Sequence, residues 1–423
     1  MPLDRNTRYI YGIDFGTTNS ALAILNTQTA EIVQLYTIPS LLFFPEAKDA
    51  SDPCTPTVGD GAIEKYLASN MRGRFMKSIK KILPNKSFTD TRIGKKSYRA
   101  EDLVALIIRE LKTKADAFVD QDIKTAVIGR PVVFDENPEK DAVAQSRLGR
   151  AMQIAGFESF SFQFEPVAAA YTYEREIEAE KLVLVADFGG GTTDFSVMRL
   201  RPHTDPKADR RQDMLAQGGI YIGGDSFDSD IMWHKGTPHF GRGVKEEFTK
   251  GKPLDLPLSY FLNICSWEKM NFLDTLRMRL AIAKSYQFSG KDYRVKNLQT
   301  LIDKNLGYTV FKQIEAAKMA LSTSDQSVFV YEAEDIAIHE AIDLAVFSDE
   351  IITENLQKIA DYLDVFLEQN QLEPSHIDDV FMTGGSSQVR PLQDIFKAKF
   401  GSDKLRSGDN FNAVAKGLAY YVG

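Results

Sequence analysis

Three short apolar runs open the chain, near 8–14, 20–26 and 31–37, each of strand rather than helix length. An irregular, proline-bearing stretch, "SDPCTPTVGDG", comes next at 51–61. Apolar positions then recur at helical spacing near 62–82, 101–119 and 138–155, interrupted by a strand, "TAVIGRPVVF", at 125–134. Pro138 suits a first helical turn and Gly156 a helix stop. The second half restarts at Lys181 with two more strands and a third near 214–222, then alternates helices and strands. A helix near 349–368 places Ile352, Leu356, Ile359, Leu363 and Phe366 on one stripe, and a last helix is expected near 411–421. The basic run "RGRFMKSIKKILPNK" (72–86) could meet phosphates but reads better as an amphipathic helix, with Phe75, Ile79 and Ile82 inward and the lysines in solvent. Residues 233–310 carry the weakest pattern. They hold both tryptophans and the pair His234 and His239, whose spacing around Gly and Pro fits a polar loop better than a metal site.

Within this pattern one motif occurs twice. "YGIDFGTTNSALAIL" (11–25) and "LVLVADFGGGTTDFSVMRL" (182–200) both read strand, glycine-bearing loop, strand, the mark of a β-hairpin. Asp14 and Asp187 lie 173 residues apart, too far for a solenoid repeat, which points to two homologous lobes with one loop each. Glycine lets a backbone approach a ligand closely, successive free N–H groups make an anion nest, and threonine hydroxyls add donors. This is phosphate-binding equipment. Phosphate would repel Asp14 and Asp187 unless a cation lay between. Mg²⁺, which uses few carboxylates and keeps several waters, meets that need.

Composition narrows the class. The 423 residues imply two or more domains. Hydrophobic residues make up 43% and charged residues 26%, an ordinary globular balance, and the net charge of −8 argues against a dedicated nucleic-acid binder. Cys54 and Cys265 are the only cysteines, so no disulfide or zinc framework is expected, and the compartment is read as reducing. There is no apolar signal core at the N-terminus and no uncharged span of membrane length. A soluble, cytoplasmic chain with no membrane or nucleic-acid partner, and monomeric, is the expectation.

The motifs "GIDFGTTNSALAI", "FEPVAAAY", "VADFGGGTTDFS", "GGDSFD", "IEAAKMALS" and "MTGGSSQV" come in an order that resembles the nucleotide-binding domain of the heat shock protein 70 (DnaK-type) chaperone family, and in particular a short type within it that lacks most of the family's chain beyond the ATPase domain. The resemblance runs from Tyr9 to the C-terminus. It implies an α/β fold: a two-lobed, actin-like ATPase, a duplicated ribonuclease H-like architecture, with a nucleotide cleft between the lobes. Lobe I would span 1–183 and lobe II 184–403, with 233–310 an insertion and a C-terminal helix, 404–423, returning to lobe I. ATP or ADP with Mg²⁺ would be the cofactors.

The resemblance also assigns roles. Asp14, Gly16, Thr17, Thr18 and Asn19 would face Mg²⁺ and the phosphates from the first loop. Asp187, Gly189, Gly190, Gly191, Thr192 and Thr193 would do so from the second, Asp14 and Asp187 being nearest the metal. Asp194 and Glu165 match family carboxylates near the attacking water, with Glu165 at a helix start before Pro166. Gly223, Gly224 and Asp225, with Gly384, Gly385 and Ser386, would let backbone pass close to the nucleotide. Glu315, Lys318, Met319 and Ser322, with Gln388, would meet ribose and adenine, the first, second and fourth sharing one helical face.

Two departures from the family pattern bear on activity. The family's catalytic lysine comes after a "VGDAA"-like segment, where this chain has Ile63, and Lys65 falls on roughly the opposite helical face; a register shifted by one helical turn would bring another lysine, Lys77 or Lys80, into the cleft. Met319 and Gln388 stand where the family places two arginines around adenine. The expectation is a chaperone-like module that binds Mg·ATP, hydrolyses it slowly and reports its state to a client protein or cochaperone. The alternatives are a non-hydrolysing nucleotide sensor, an actin-like filament subunit and a small-molecule kinase.

Overall fold

Two five-stranded sheets share one strand order in a computed structural model that describes residues 8–47, 54–69, 71–135, 137–174, 177–202, 212–407 and 412–421. The first sheet runs Glu31–Pro39, Asn19–Asn26, Tyr9–Phe15, Thr125–Arg130, Ser159–Phe164. The second runs Met214–Ile220, Thr193–Leu200, Lys181–Phe188, Asp379–Thr383, Leu405–Ser407. In each, three antiparallel strands are followed by two parallel ones. The repeated motif is thus the opening hairpin of a repeated sheet, as the duplicated ribonuclease H-like reading expects. The registers match: Phe15 pairs with Ser20 and Phe188 with Thr193, so both loops are four residues long.

The chain divides into two units. Both sheets belong to the first, made of Met1–Tyr221, Tyr362–Ser387 and Phe396–Gly423. Its central strands are buried on both faces, which is why they read as near-continuous apolar runs. Helices Ala100–Val119 and Pro138–Ala155 share one apolar cluster with the first sheet. The Asn137 side chain caps the second of these by accepting from the N–H of Glu139 and Lys140, and Gly156 ends it in the left-handed region at φ 104°. On the second sheet Phe188, Phe195, Tyr362, Phe366 and Phe396 pack ring against ring.

Helix Ala413–Tyr420 packs with helix Glu165–Glu174 and against the first strand. Gly12 and Gly417 make this possible. A Cβ on Gly12 would lie 2.3 Å from Ala419 N, and one on Gly417 would lie 1.7 Å from Ala168 O. Ala21, Ala23, Ala415 and Ala419 complete the small-residue contact.

The second unit, Ile222–Asp361 with Gln388–Ile395, contains the whole stretch with the weakest sequence pattern, 233–310. It holds helices Gly224–Ile231, Leu258–Ile264, Leu276–Phe288, Tyr293–Asp303 and Gly307–Ala320. Two hairpins accompany them, Lys245–Thr249 with Lys252–Asp255 and Gln326–Ala333 with Ile336–Asp343. A π-turn (Met232–Gly236) and a 3₁₀ turn (Thr237–Phe240) carry His234 and His239. His234 is exposed, and His239 Nε2 lies 2.8 Å from Glu340 Oε1. Among the described residues no three His, Cys, Asp or Glu side chains form a metal-holding group. Cys54 and Cys265 are buried and form no disulfide, and no described helix is long and apolar enough to cross a membrane.

The expected helical stretch at 62–82 is corrected. Helix Asp60–Ala68 stops early, and the basic run 72–86 forms a strand, Arg74–Met76, and a 3₁₀ turn, Ile79–Ile82. Gly73 at φ 109°, Ser78 at φ 57° and Pro84 break any continuous helix. The strand at 125–134 ends at Arg130, before Pro131. The stripe Ile352–Phe366 is buried as expected, on helix Thr353–Gln369 preceded by a π-turn at Phe347–Ile351. Residues 51–53 of the proline-bearing stretch lie outside the described residues, as does 411 of the last helix.

Candidate functional site

Strand geometry brings four acids and a lysine together in the first unit. Asp14 and Asp187 sit one residue before the last of their strands, each leading into a glycine-bearing loop. Asp194 pairs in register with Asp187 across the second hairpin. Glu165 opens helix Glu165–Glu174, whose next residue, Pro166, is at home in a first turn. A Cβ on Gly129 would lie 3.1 Å from Glu165 Cγ, so the acid lies over strand Thr125–Arg130. Lys80 arrives from the 3₁₀ turn and places Nζ 2.7 Å from Glu165 Oε1, with side-chain exposures of 14% and 9%. Beside it, a Cβ on Gly191 would lie 2.6 Å from Lys81 Cε, so the same turn lies over the second loop.

Electrostatics shows how closely these groups share one space. Burial first, then Glu165, pushes Asp14 up to about 7, with Lys80 opposing. Burial, then Glu165, Asp194 and Asp14, pushes Asp187 up to about 8, again with Lys80 opposing. Burial raises Asp194 to about 6 against the pull of the Thr192 hydroxyl, which donates to Asp194 Oδ2 at 2.9 Å. Burial disfavours the Lys80 ammonium, yet Glu165, Asp14 and Asp187 hold its pKa above the ordinary lysine value. Four carboxylates facing one lysine leave the cluster short of positive charge. That shortage fits a divalent cation: Asp14 and Asp187 are the acids that would hold Mg²⁺, and a cation bound by two carboxylates and water needs no third side chain.

The loops are braced alike. The Ser40 hydroxyl donates to the Gly16 carbonyl at 2.8 Å, and the Ser40 N–H donates to Thr18 O at 2.8 Å. In the second loop the Ser386 hydroxyl donates to Gly189 O at 3.2 Å, and Gly189 N–H donates to Thr192 O at 2.9 Å. Gly16 and Gly189 are equivalent positions, so each loop is held at the same carbonyl. Gly384, at φ 82°, closes on this region: a Cβ there would lie 2.6 Å from Asp187 Oδ1 and 2.4 Å from Phe188 O. Gly385 and Ser386 begin the next 3₁₀ turn. Gly16, Thr17, Thr18, Asn19, Gly190, Gly191 and Thr192 are half-buried and Thr193 is buried, so the loops keep polar surface open.

The remaining expected residues form a second cluster, in the second unit. Lys318 Nζ lies 2.8 Å from Asp228 Oδ1 and donates to Gly224 O at 3.1 Å. Burial raises the Asp228 carboxyl while Lys318 opposes it, with Glu315 and Asp225 adding negative charge. Gly223 caps helix Gly224–Ile231. Glu315 and Met319 project from helix Gly307–Ala320 and are exposed, as is Gln388. Ser322 is displaced from the expected helical face: the helix ends at Ala320 and Ser322 N–H closes a 3₁₀ turn onto Met319 O. The Arg390 guanidinium, two residues beyond Gln388, donates to Leu321 O, Ser324 O and Asp325 Oδ1.

Lys80 enters the sequence reading only as one of two lysines, with Lys77, that a shifted register would bring to the family lysine's place, and Ser40 does not enter it at all. The helical pattern puts Lys80 in solvent, and nothing in it marks Ser40. Ile63 is half-buried and Lys65 exposed on helix Asp60–Ala68, and the cation beside Glu165 comes instead from 17 residues beyond Ile63. The signal for Lys80 is the pair of breakers, Gly73 and Pro84, flanking its run, which rule out one long helix.

A family model described as "Hsp70 protein" matches residues 63–248 and 288–423. The chain belongs to the Hsp70 family. Among Hsp70 relatives, a "Chaperone protein DnaK" of Thermosipho africanus (strain TCF52B) is 27% identical over 421 residues, covering 97% of this chain and 58% of the relative. A "Chaperone protein DnaK" of Halobacterium salinarum (strain ATCC 29341 / DSM 671 / R1) is 24% identical over 424 residues, covering 98% of this chain and 55% of the relative. This Hsp70 chain therefore spans a little over half the length of the curated relatives it matches. Membership gives it the actin-like ATPase fold, in agreement with the duplicated sheets.

Proposed function

We propose that the chain is an ATPase module that binds Mg·ATP and hydrolyses it to ADP and phosphate, reporting its nucleotide state to a client protein or cochaperone. The observation that carries this reading is the position of Lys80 among Asp14, Glu165, Asp187 and Asp194, beside two matched phosphate-type loops. Loop N–H groups and threonine hydroxyls bind the phosphates. Mg²⁺ held by Asp14 and Asp187 would supply neutralisation of phosphate charge. Glu165 and Asp194 orient the attacking water, and Lys80 offers its ammonium to charge developing on the transferred group. The family resemblance assigns ribose and base to Glu315, Lys318, Met319, Ser322 and Gln388.

The case for a non-hydrolysing sensor, and for unusually slow turnover, rests on Ile63. The position of Lys80 beside Glu165 supports hydrolysis without a lysine at 63. Single-turnover release of γ-phosphate from ATP, in the parent and in Lys80→Ala, tests the proposal. No hydrolysis above background in the parent, with tight nucleotide binding retained, would establish the sensor instead.

A further inference from the structure

Residues 249–287 fall in the one internal gap of the Hsp70 family match, and they carry an exposed apolar ridge. On helix Leu276–Phe288 the inner face is anchored by buried Ile282 and Ser285. The outer face presents Leu276 at 75% exposure and, one turn on, Leu280 at 62%. Phe272, one helical turn's worth of chain before Leu276, is 67% exposed. Around the helix from these leucines, Phe288 packs on Phe248 of the neighbouring hairpin, ring centroids 4.5 Å apart, with Lys284 Nζ over both rings. Single exposed leucines need no explanation, but Phe272, Leu276 and Leu280, spaced four residues apart and each mostly in solvent, mark a contact surface.

Charge says what would cover it. Residues 249–287 hold six Lys or Arg against three Asp or Glu, in a chain of net charge −8. Arg277 and Lys284 are exposed on the ridge helix itself, while the acid at its start, Asp274, is taken by Arg279. A second copy of this surface would bring Arg277 and Lys284 against their own equivalents, which disfavours self-association. We propose that this ridge docks an acidic amphipathic helix of a partner protein, its apolar residues at i, i+4 on Leu276 and Leu280 and its carboxylates on Arg277 and Lys284.

The test uses the full chain and three labelled helical peptides with leucines at i, i+4: one bearing glutamates, one bearing lysines and one a scramble of the first. Fluorescence anisotropy is expected to show binding of the acidic peptide alone, weakening with salt. Leu276→Ser/Leu280→Ser should weaken it roughly tenfold or more, with the melting temperature unchanged because both side chains are in solvent. Arg277→Glu/Lys284→Glu should transfer the preference to the lysine peptide. Equal binding of all three peptides, binding of none, or binding that survives both double variants overturns the proposal. So does cosedimentation with phosphatidylserine vesicles, or self-association in sedimentation velocity, lost in the leucine double variant while the acidic peptide does not bind.

Discussion

Lys80 Nζ and Glu165 Oε1 lie 2.7 Å apart, and this one contact joins a 3₁₀ turn to a helix start 85 residues away. It changes which residue is expected to carry catalysis. Removing one preorganised electrostatic group from a reacting centre costs roughly 10²–10³ in rate. Lys80→Ala should therefore lower single-turnover hydrolysis by about that factor, with a smaller loss of nucleotide affinity because the loops remain. Ile63→Lys should leave the rate unchanged. Rapid-quench measurement of γ-phosphate release checks both. A rise in rate with Ile63→Lys, and none lost with Lys80→Ala, would return the role to position 63.

Asp14 and Asp187 are the acids expected to depend on the metal. Each is raised by burial and by neighbouring carboxylates, with Lys80 opposing, and a bound cation would relieve that repulsion further. Asp14→Asn and Asp187→Asn should each reduce the gain in ATP affinity that Mg²⁺ confers by roughly tenfold or more, as losing a charged contact of about 1.5–3 kcal/mol implies. In EDTA the variants should bind ATP weakly but no more weakly than the parent, since each has lost a carboxylate that repels phosphate. Titration calorimetry in both buffers makes the comparison.

Asp230 supplies a pH test away from the loops. Burial pushes its carboxyl up to about 6, while Asn355 Nδ2, donating at 2.6 Å, and Lys358 oppose the rise. The folded state thus holds a proton that the unfolded chain, with an ordinary value near 3.8, has released. A raised acid lowers stability as pH climbs through that interval, so the cost is absent below about 4 and complete above about 6. Asp230→Asn should melt a few degrees higher than the parent at pH 8, the gain shrinking steadily toward pH 4. Scanning calorimetry across that range would show instead a pH-independent offset if the effect were packing alone.

What is legible in the chain is local. The two hairpins announce themselves because strand alternation and loop glycines lie within about twenty residues of one another, and the buried stripe from Ile352 to Phe366 because the roughly 3.6-residue spacing is a property of one helix. In the insertion, helix Leu276–Phe288 resists because it buries only Ile282 and Ser285, too few to set a period. Lys80 reads as a solvent lysine because its role depends on Ser78 taking a left-handed conformation two residues earlier, which turns the chain where a helical wheel would continue it. Ser40, likewise, is one serine at a strand end until folding sets it beside Gly16.

Ser40 allows the last expectation. It is almost wholly buried, and its hydroxyl donates to Gly16 O while lying 2.8 Å from the Ser20 hydroxyl, so Ser20 must be the donor in that second contact. Ser40→Ala then frees the Gly16 carbonyl and leaves the buried Ser20 hydroxyl without its acceptor. An unsatisfied buried polar group costs about 1–3 kcal/mol, whereas removing both partners can be nearly neutral. Ser20→Ala/Ser40→Ala should accordingly be more stable than Ser40→Ala alone, by melting temperature. Both variants nevertheless lose the brace on Gly16, so both should raise KM for ATP several-fold, and Ser40→Thr, which keeps the hydroxyl, should restore it. If stability recovers in the double variant and KM recovers with it, Ser40 only fills the core; if KM stays high while stability returns, its hydroxyl positions the first phosphate loop.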